Sequence, residues 1–259
     1  MKLINLLAAL LFVGLTPIAS AQAPRTYVSG VGDDTNPGNR VAPCKTFYGA
    51  LAKTAEGGEI NVLDAGSFGG VSITKSVTIT GMGVEGGILV SGTNAIVINA
   101  GDDDVVILRN LNFEGMGNST SLAGLAGVRI MKAGAVYIEN CRIGNFFVGV
   151  EETTSSTTGT QVFIKDTQIL ECKTAGISSK PAAGAASAFF IDRTRIEGCQ
   201  AGVLIADRSK VVLNEAIIAY NVTDGVKQTG TGVIESYRNN RIIGNTPDVT
   251  GKVTLLKLR

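Results

Sequence analysis

The chain has 259 residues, of which 44% are hydrophobic and 17% are charged, so it is long and apolar enough to bury a large core. Its formal net charge is +1, and no long run of either sign occurs, which argues against electrostatic binding to nucleic acid or to an anionic membrane. The absence of histidine excludes Ser-His-Asp and Cys-His triads and metal sites built on imidazole.

The first predicted element is a secretory signal peptide over residues 1–21. Lys2 precedes an apolar run over residues 3–15, and Ala19–Ala21 supplies the small residues of a cleavage site. The apolar run is short for a membrane span, and no later stretch is continuous enough to cross a bilayer. We therefore expect an exported protein, periplasmic or extracellular, that is cut near Ala21 and has a single domain over residues 22–259.

The next predicted element is a capping segment over residues 25–58 that contains a short helix. Its four apolar residues fall on one helical face and precede a glycine that stops the helix. They are Phe47, Ala50, Leu51 and Ala55, followed by Gly57. We expect this helix to close the N-terminal end of the domain.

The remaining rungs, over about residues 59–258, repeat three short strands without a helix between them. Matched apolar positions are separated by 30, 26, 27 and 22 residues, a period typical of solenoids. These positions are Phe113, Ile143, Ile169, Ile196 and Ile218. Short strands without helical crossovers cannot form a doubly wound sheet, so the pattern predicts an all-β parallel β-helix with aligned interior ladders.

A column of polar residues marks the bend between the second and third strands of each rung. Asn110, Asn140 and Asp166 align there, and such side chains tolerate a left-handed backbone. Arg193 and Glu215 occupy the same position in the next two rungs and interrupt the column of Asn and Asp side chains.

The entry segment "YVSGVGDDTNPGNRVAPCKTFYGALAKTAEGGEINVLDAGSFGGVSI" resembles that of secreted right-handed parallel β-helix proteins of the pectin-lyase-like superfamily. The matching residues are Asp33, Asn36, Pro37, Gly38, Pro43, Lys45 and Thr46. The resemblance covers most of residues 25–258 and implies a right-handed helix with three strands per rung and an N-terminal capping helix. It does not define an activity, because lyases, esterases, epimerases, hydrolases and non-enzymes share this architecture.

The motifs of most enzymes in that superfamily are missing from this chain. The Gly-His-Gly and Arg-Ile-Lys motifs of galacturonan hydrolases, the Asp-Pro-His motif of uronan epimerases and the pectin-esterase pattern do not occur. What remains is lyase chemistry, in which Lys or Arg abstracts a proton beside a carboxylate that a cation such as calcium neutralises.

The resemblance implies a substrate groove along the first strand of each rung. Its outward column contains Arg129, Glu151, Ser178, Leu204 and Lys227, with Lys180 near the same edge. The five polar residues of this set are the candidate ligand contacts, and Arg129 and Lys227 are the candidate catalytic bases. A cross-strand ion pair explains Arg129 beside Glu151 equally well.

Asp102, Asp103 and Asp104 align with the segment that joins the first and second strands of a rung. We interpret them as a solvated turn. A calcium site is the alternative, since adjacent acids repel each other unless a cation joins them. Calcium is the only cofactor that the sequence suggests.

Cys172 and Cys199 occupy the same rung position, 27 residues apart, where in-register neighbours lie near the separation that a disulfide accepts. They form either a disulfide or a stack of buried thiols. Cys141 aligns with an interior ladder, and Cys44 lies in the capping segment.

The sequence thus predicts an exported β-helix protein without a recognisable catalytic motif that binds a polysaccharide or has a structural role. The alternative is a polysaccharide lyase that acts on a uronate polymer by cation-assisted β-elimination. Aromatic residues make up 5% of the chain and tryptophan is absent, so few platforms for stacking on sugars are expected. No nucleic acid partner is expected, and the sequence does not define the oligomeric state.

Overall fold

The computed structural model describes residues 22–116 and 123–257, and it is a parallel β-solenoid of about seven turns. The predicted signal peptide, residues 1–21, lies outside the described residues. Three parallel sheets, here called A, B and C, form the sides of the solenoid. The predicted all-β parallel helix with three strands per rung is therefore confirmed.

Each sheet stacks one strand from every rung, and the chain runs from sheet A to B to C before it returns to A. Sheet A contains β1 (Ala23–Val28), β2 (Thr54–Val62), β5 (Val77–Thr80), β8 (Val105–Arg109), β11 (Ala135–Glu139), β14 (Thr160–Lys165), β17 (Ser187–Asp192), β20 (Ser209–Asn214), β23 (Val233–Tyr237) and β26 (Val253–Leu256). Sheet B contains β3 (Gly66–Ser67), β6 (Gly86–Val90), β9 (Leu111–Gly115), β12 (Arg142–Gly144), β15 (Gln168–Leu170), β18 (Arg195–Glu197), β21 (Ile217–Ala219) and β24 (Arg241–Ile243). Sheet C contains β4 (Val71–Ile73), β7 (Ile96–Asn99), β10 (Gly124–Lys132), β13 (Phe146–Glu152), β16 (Ala175–Ser179), β19 (Val203–Ile205), β22 (Val226–Gln228) and β25 (Val249–Thr250).

The core is a set of aligned ladders inside the solenoid. Alternate residues of each strand point inward, and the register of neighbouring strands places like residues on top of one another. One fully buried ladder consists of Val106, Val136, Val162, Phe189 and Val211. Because each apolar side chain covers the one below it, the repeat buries its own interior without a second layer.

The N-terminal end carries helix α1 (Phe47–Lys53) and the extra strand β1, which pairs in parallel with β2. The Thr46 side chain caps the helix by accepting a hydrogen bond from the Gly49 N–H at 3.0 Å, and Phe47, Ala50 and Leu51 are buried. The helix packs against β1, β2 and β4, as expected for a cap.

The predicted helix is too long at its C-terminal end. Thr54 is already extended, with φ of −81° and ψ of 134°, and its hydroxyl donates to the Ala50 carbonyl at 2.8 Å. Ala55 therefore belongs to β2 and not to the helix, and Gly57 lies within that strand with φ of 70°. Because β2 pairs with β1 in sheet A, the chain leaves the helix before the predicted stop at Gly57.

The bends hold their shape through residues in the left-handed region. At the bend from sheet A to sheet B, φ lies between 44° and 55° in five successive rungs. The residues are Asn110, Asn140, Asp166, Arg193 and Glu215. Arg193 and Glu215 change the side chains of this column but keep its backbone conformation.

A second left-handed column, at the bend from sheet B to sheet C, was not predicted from the sequence. Its residues are Asn145, Glu171, Gly198, Tyr220 and Gly244, with φ between 54° and 73°. Within the described residues, no helix is long and apolar enough to cross a membrane.

Candidate functional site

The outer face of sheet C carries the predicted column of ligand candidates. Arg129 lies beside Glu151, Glu151 beside Ser178, and Ser178 beside Leu204, which in turn neighbours Lys227. The register that was inferred from the glycine-led repeats therefore places these side chains on one face, one rung apart.

Arg129 and Glu151 form an ion pair across β10 and β13. The distance from Arg129 Nε to Glu151 Oε2 is 3.4 Å, and both side chains are about one third exposed. A guanidinium keeps its proton in proteins and so does not readily accept another. The geometry matches the cross-strand interpretation and leaves Arg129 poorly suited to abstract a proton.

A shallow open groove of about 430 Å³ lies further along the same face, across β16, β19 and β22. Ser178, Lys180 and Lys227 line it together with Leu204, so three of the five ligand candidates meet in one depression. Arg129 and Glu151 are not part of its lining. The opposite wall presents Thr174, Gln200 and Thr223 at equivalent positions of three successive rungs.

The two lysines of the groove differ in their partners. Lys227 Nζ lies 3.1 Å from Asp224 Oδ2, and the Thr250 hydroxyl donates to the other carboxylate oxygen. Burial raises the pKa of Asp224, but hydrogen bonds from Thr250 and Lys227 outweigh it and lower the pKa below its ordinary value. Lys180 is exposed and forms no ion pair within the described residues. Lys180 is thus the cation of the groove that is free to meet an anionic ligand.

The three aspartates lie in the turn between β7 and β8, as predicted. Asp104 anchors this turn by accepting hydrogen bonds from the Ser76 hydroxyl at 2.6 Å, the Ser76 N–H at 3.1 Å and the Gly101 N–H at 2.6 Å. Asp102 Oδ2 pairs with Lys132 Nζ at 2.9 Å. Among the described residues, no group of three or more acidic, cysteine or histidine side chains is arranged to hold a metal ion. The calcium site at Asp102, Asp103 and Asp104 stays a prediction, without support from this geometry.

A buried polar cluster lies at the corner where sheet C meets sheet A. The Ser179 hydroxyl donates to Glu152 Oε2 at 2.7 Å and lies 2.7 Å from Ser187 Oγ and 2.8 Å from Ser209 Oγ. The Thr154 N–H donates to Glu152 Oε1 at 2.6 Å. Burial raises the pKa of Glu152, although the hydrogen bonds oppose this shift.

Sequence reasoning missed this cluster, which we call the corner cluster: Glu152, Ser179, Ser187 and Ser209. Alternation over the last residues of β13 places Val150 inward, Glu151 outward and therefore Glu152 inward, which is the signal that identifies the buried acid.

All four cysteines are buried free thiols in this structure. Cys172 and Cys199 lie on neighbouring rungs at the bend from sheet B to sheet C, and the Cys172 N–H donates to Cys199 Sγ at 3.3 Å. The hydrogen bond with Cys199, together with burial, raises the pKa of the Cys172 thiol well above its ordinary value. Of the two alternatives for this pair, the structure contains the stacked thiols and not the disulfide.

The outer face of sheet A carries a stripe of apolar side chains, which sequence reasoning also missed. Successive rungs contribute Ile107, Tyr137, Phe163, Phe190 and Val212 at matched outward positions. The signal is the run of three apolar residues in "VYI", "VFI", "FFI" and "VVL", which breaks the apolar-polar alternation of a strand with one solvated face.

These features define a three-sided right-handed parallel β-helix, and the chain belongs to that family. The family model described as "Right handed beta helix region" matches residues 66–247. No curated protein sequence matches the chain.

Solved structures with the same architecture share little sequence with it. The pectate lyase Pel9A is 12% identical, with 91% of this chain and 78% of that chain covered and a TM-score of 0.56. A rhamnogalacturonan lyase is 10% identical, with 83% and 74% covered and a TM-score of 0.48. A GH136 lacto-N-biosidase from Eubacterium ramulus is 11% identical, with 90% and 68% covered and a TM-score of 0.44. At these identities the likeness shows the fold alone.

Proposed function

We propose that this protein is exported and binds an extended acidic polysaccharide along the outer face of sheet C without cleaving it. The observation that carries the proposal is the open groove beside Lys180, a cation with no ion pair among the described residues. Export rests on the N-terminal pattern of Lys2, an apolar run and Ala19–Ala21.

The groove matches a repeating polymer in its chemistry. Parallel rungs repeat about every 4.8 Å, so Thr174, Gln200 and Thr223 present hydrogen-bonding groups at regular intervals along one wall. Lys180 on the opposite wall is placed to pair with a carboxylate of the ligand. Leu204 between them gives the floor an apolar patch on which a sugar ring can lie.

The candidate bases favour binding over catalysis. Lyase chemistry needs a neutral amine or a neutral guanidine that is free to take a proton from carbon. Arg129 is paired with Glu151, and Lys227 is paired with Asp224, so neither cation is free to act on a substrate. The fold shared with a pectate lyase makes a polysaccharide lyase the alternative function, and it needs its own test.

Binding is tested with the chain over residues 22–259 and with polygalacturonate, alginate and a neutral glucan. Titration calorimetry is expected to show binding of the two acidic polymers, weakening with salt, and little binding of the glucan. Lys180→Ala is expected to weaken binding about 5-fold to 10-fold, the loss of one partly exposed charge contact. Arg241→Ala, which removes an exposed cation from sheet B, is the matched control and is expected to leave binding unchanged.

Equal weakening by both variants, or equal binding of the neutral glucan, would contradict the proposed groove. The lyase alternative is followed in the same samples by ultraviolet absorbance of the unsaturated uronate, with and without calcium. An increase of that absorbance with time would show that the protein is a lyase and would contradict binding without cleavage.

A further inference from the structure

The outer face of sheet A is more apolar at its centre than a solvated sheet face needs to be. The stripe formed by Ile107, Tyr137, Phe163, Phe190 and Val212 crosses five neighbouring strands, and each of its side chains keeps part of its surface exposed. The flanking positions Val105, Ala135 and Ala188 add apolar surface on one side, where Gln161 interrupts them. A contiguous apolar patch of this kind marks an interaction surface.

The aromatic rings of the stripe are not arranged to stack on a sugar. The ring centroids of Tyr137 and Phe163 are 4.7 Å apart, and the ring planes differ by 9°. The rings therefore lie face to face along the solenoid axis, about one rung apart, and turn their edges outward. Outward ring edges leave no free ring face for a sugar, and the apolar surface that they present suits packing against another protein surface.

A charged column runs beside the stripe and has a self-complementary order. Arg109, Glu139 and Lys165 occupy matched outward positions of three successive strands, and Asp192, which is largely buried, follows in the fourth. The charges along this column are positive, negative, positive and negative in turn. Read from the other end, every position carries the opposite sign. Lys165 forms no ion pair within the described residues, since Glu139 is held by Arg109 at 2.7 Å and Asp192 by Arg193 at 2.9 Å.

We propose that two copies of this chain dimerise through the outer faces of their A sheets, with antiparallel solenoid axes. The two-fold axis runs along the strand direction between β11 and β14. Tyr137 then packs on the partner's Phe163, and Glu139 pairs with the partner's Lys165, and both contacts occur twice. Such an interface is isologous, since the same surface serves both subunits.

The position of the axis follows from the sheet itself. Strands β11 and β14 are the fifth and sixth of the ten strands of sheet A. A two-fold axis between them therefore places every strand of the sheet opposite a strand of the partner's sheet. Ten strands about 4.8 Å apart and about five residues wide cover about 770 Å² per copy, or about 1,500 Å² in the pair. A stable specific interface buries about 1,200–2,000 Å², so the face is large enough.

The outer rungs are compatible with this arrangement. Glu59 lies opposite the partner's Glu235, but each acid is already paired in its own chain, Glu59 with Arg25 at 3.4 Å and Glu235 with Lys210 at 2.8 Å. The grooves on sheet C remain open, because they lie on another side of each solenoid. The dimer is thus independent of the proposed function.

Sedimentation equilibrium of the chain over residues 22–259, across a range of concentrations, tests the dimer. Wild type is expected to sediment as a dimer. Lys165→Glu places a glutamate opposite the partner's Glu139 at each of the two symmetry-related contacts. This repulsion is expected to raise the dissociation constant of the dimer at least 10-fold. The double variant Glu139→Lys with Lys165→Glu restores opposite charges across the axis but removes the Arg109–Glu139 pair within each chain. It is expected to lower the constant at least 3-fold from that of Lys165→Glu, since complementary charges set pairing.

Two further variants complete the design. Phe163→Asp, which removes the apolar contact on the axis, is expected to leave only monomer, and its circular dichroism spectrum checks that the solenoid is folded. Gln168→Glu adds the same charge on sheet B and is expected to leave the dimer unchanged. A monomeric wild type, or a dimer that Lys165→Glu and Phe163→Asp do not weaken, would overturn the proposal.

Discussion

Glu152 and Ser179 lie side by side on neighbouring rungs, and the Ser179 hydroxyl donates a 2.7 Å hydrogen bond to the Glu152 carboxylate inside the solenoid. No cation accompanies this acid in the corner cluster, whose other members, Ser187 and Ser209, are hydroxyl groups. An ionised carboxylate in such a place is stabilised only by hydrogen bonds, and the cost of its burial sets how the fold responds to pH.

Glu152→Gln is expected to stabilise the fold above pH 4.5 and to have less effect below it. Burial raises the pKa of Glu152 above its ordinary value of 4.5. The folded state therefore binds this proton more tightly than the unfolded chain, so its contribution to the free energy of unfolding is present at low pH and is lost as the pH rises. Each unit of pKa difference corresponds to about 1.4 kcal/mol. Urea unfolding of both proteins on either side of pH 4.5 measures the difference, and parallel pH curves would contradict the prediction.

Cys199→Ala is expected to lower the free energy of unfolding by about 1–3 kcal/mol, because it leaves the buried Cys172 N–H without its acceptor. Cys199→Asn is expected to lose less. One rung further on, Asn221 Oδ1 accepts the Cys199 N–H at 3.0 Å, so an amide already serves as acceptor at this position of the ladder. Urea unfolding compares the two variants, and equal losses would show that the acceptor does not matter.

The stacked thiols are expected to resist labelling in the native protein. The hydrogen bond between the two thiols raises the pKa of Cys172 and lowers that of Cys199, so it does not protect both. Burial protects both, because neither side chain is accessible to a reagent. A colorimetric thiol reagent should therefore react slowly before denaturation and count four thiols after denaturation without reductant. A count of two would show that the protein acquires the disulfide that the sequence left as an alternative.

Gly176→Ala is expected to destabilise the fold by about 1–3 kcal/mol, as overpacking of a filled interior does. A Cβ at Gly176 would lie 2.4 Å from Ile196 Cγ2 and 2.9 Å from the Gly202 carbonyl oxygen. Gly66→Ala is the matched control, since its Cβ meets nothing closer than 3.5 Å. Thermal unfolding of both variants is the measurement, and a similar change in both would remove the steric explanation for the glycine that recurs at this position in five rungs of sheet C.

Glu215→Asn is expected to stabilise the fold by about 1 kcal/mol. Glu215 has φ of 48°, a left-handed conformation that asparagine adopts at lower cost than glutamate. Glu235→Asn, within strand β23, is the control and is expected to destabilise, because asparagine disfavours strands. Chemical denaturation measures both, and a loss of stability in Glu215→Asn would mean that the glutamate side chain has a contact worth more than the backbone strain.

The fold was largely predictable because its core repeats. Inward Val and Ile residues recur at matched positions, and a strand that pairs in register with its own repeat has one arrangement that buries them all. The register inferred from the sequence correctly predicted that Arg129 lies beside Glu151. It also correctly predicted that Asp102–Asp104 lie in a turn. The end of helix α1 was not predictable, since pairing of β2 with β1 decides it.

The sequence by itself determined which residues point inward, which point outward and which rungs are neighbours, because period-two alternation and the glycine-led repeat carry that information locally. Only the tertiary structure decided which outward and corner residues meet. Ser179 joins Glu152 to Ser187 and Ser209 at a corner, and Asp224 joins Lys227 to Thr250. The apolar stripe forms on sheet A. These groupings join side chains from different rungs, and their contacts depend on the angle of each bend, which alternation along a single strand does not define.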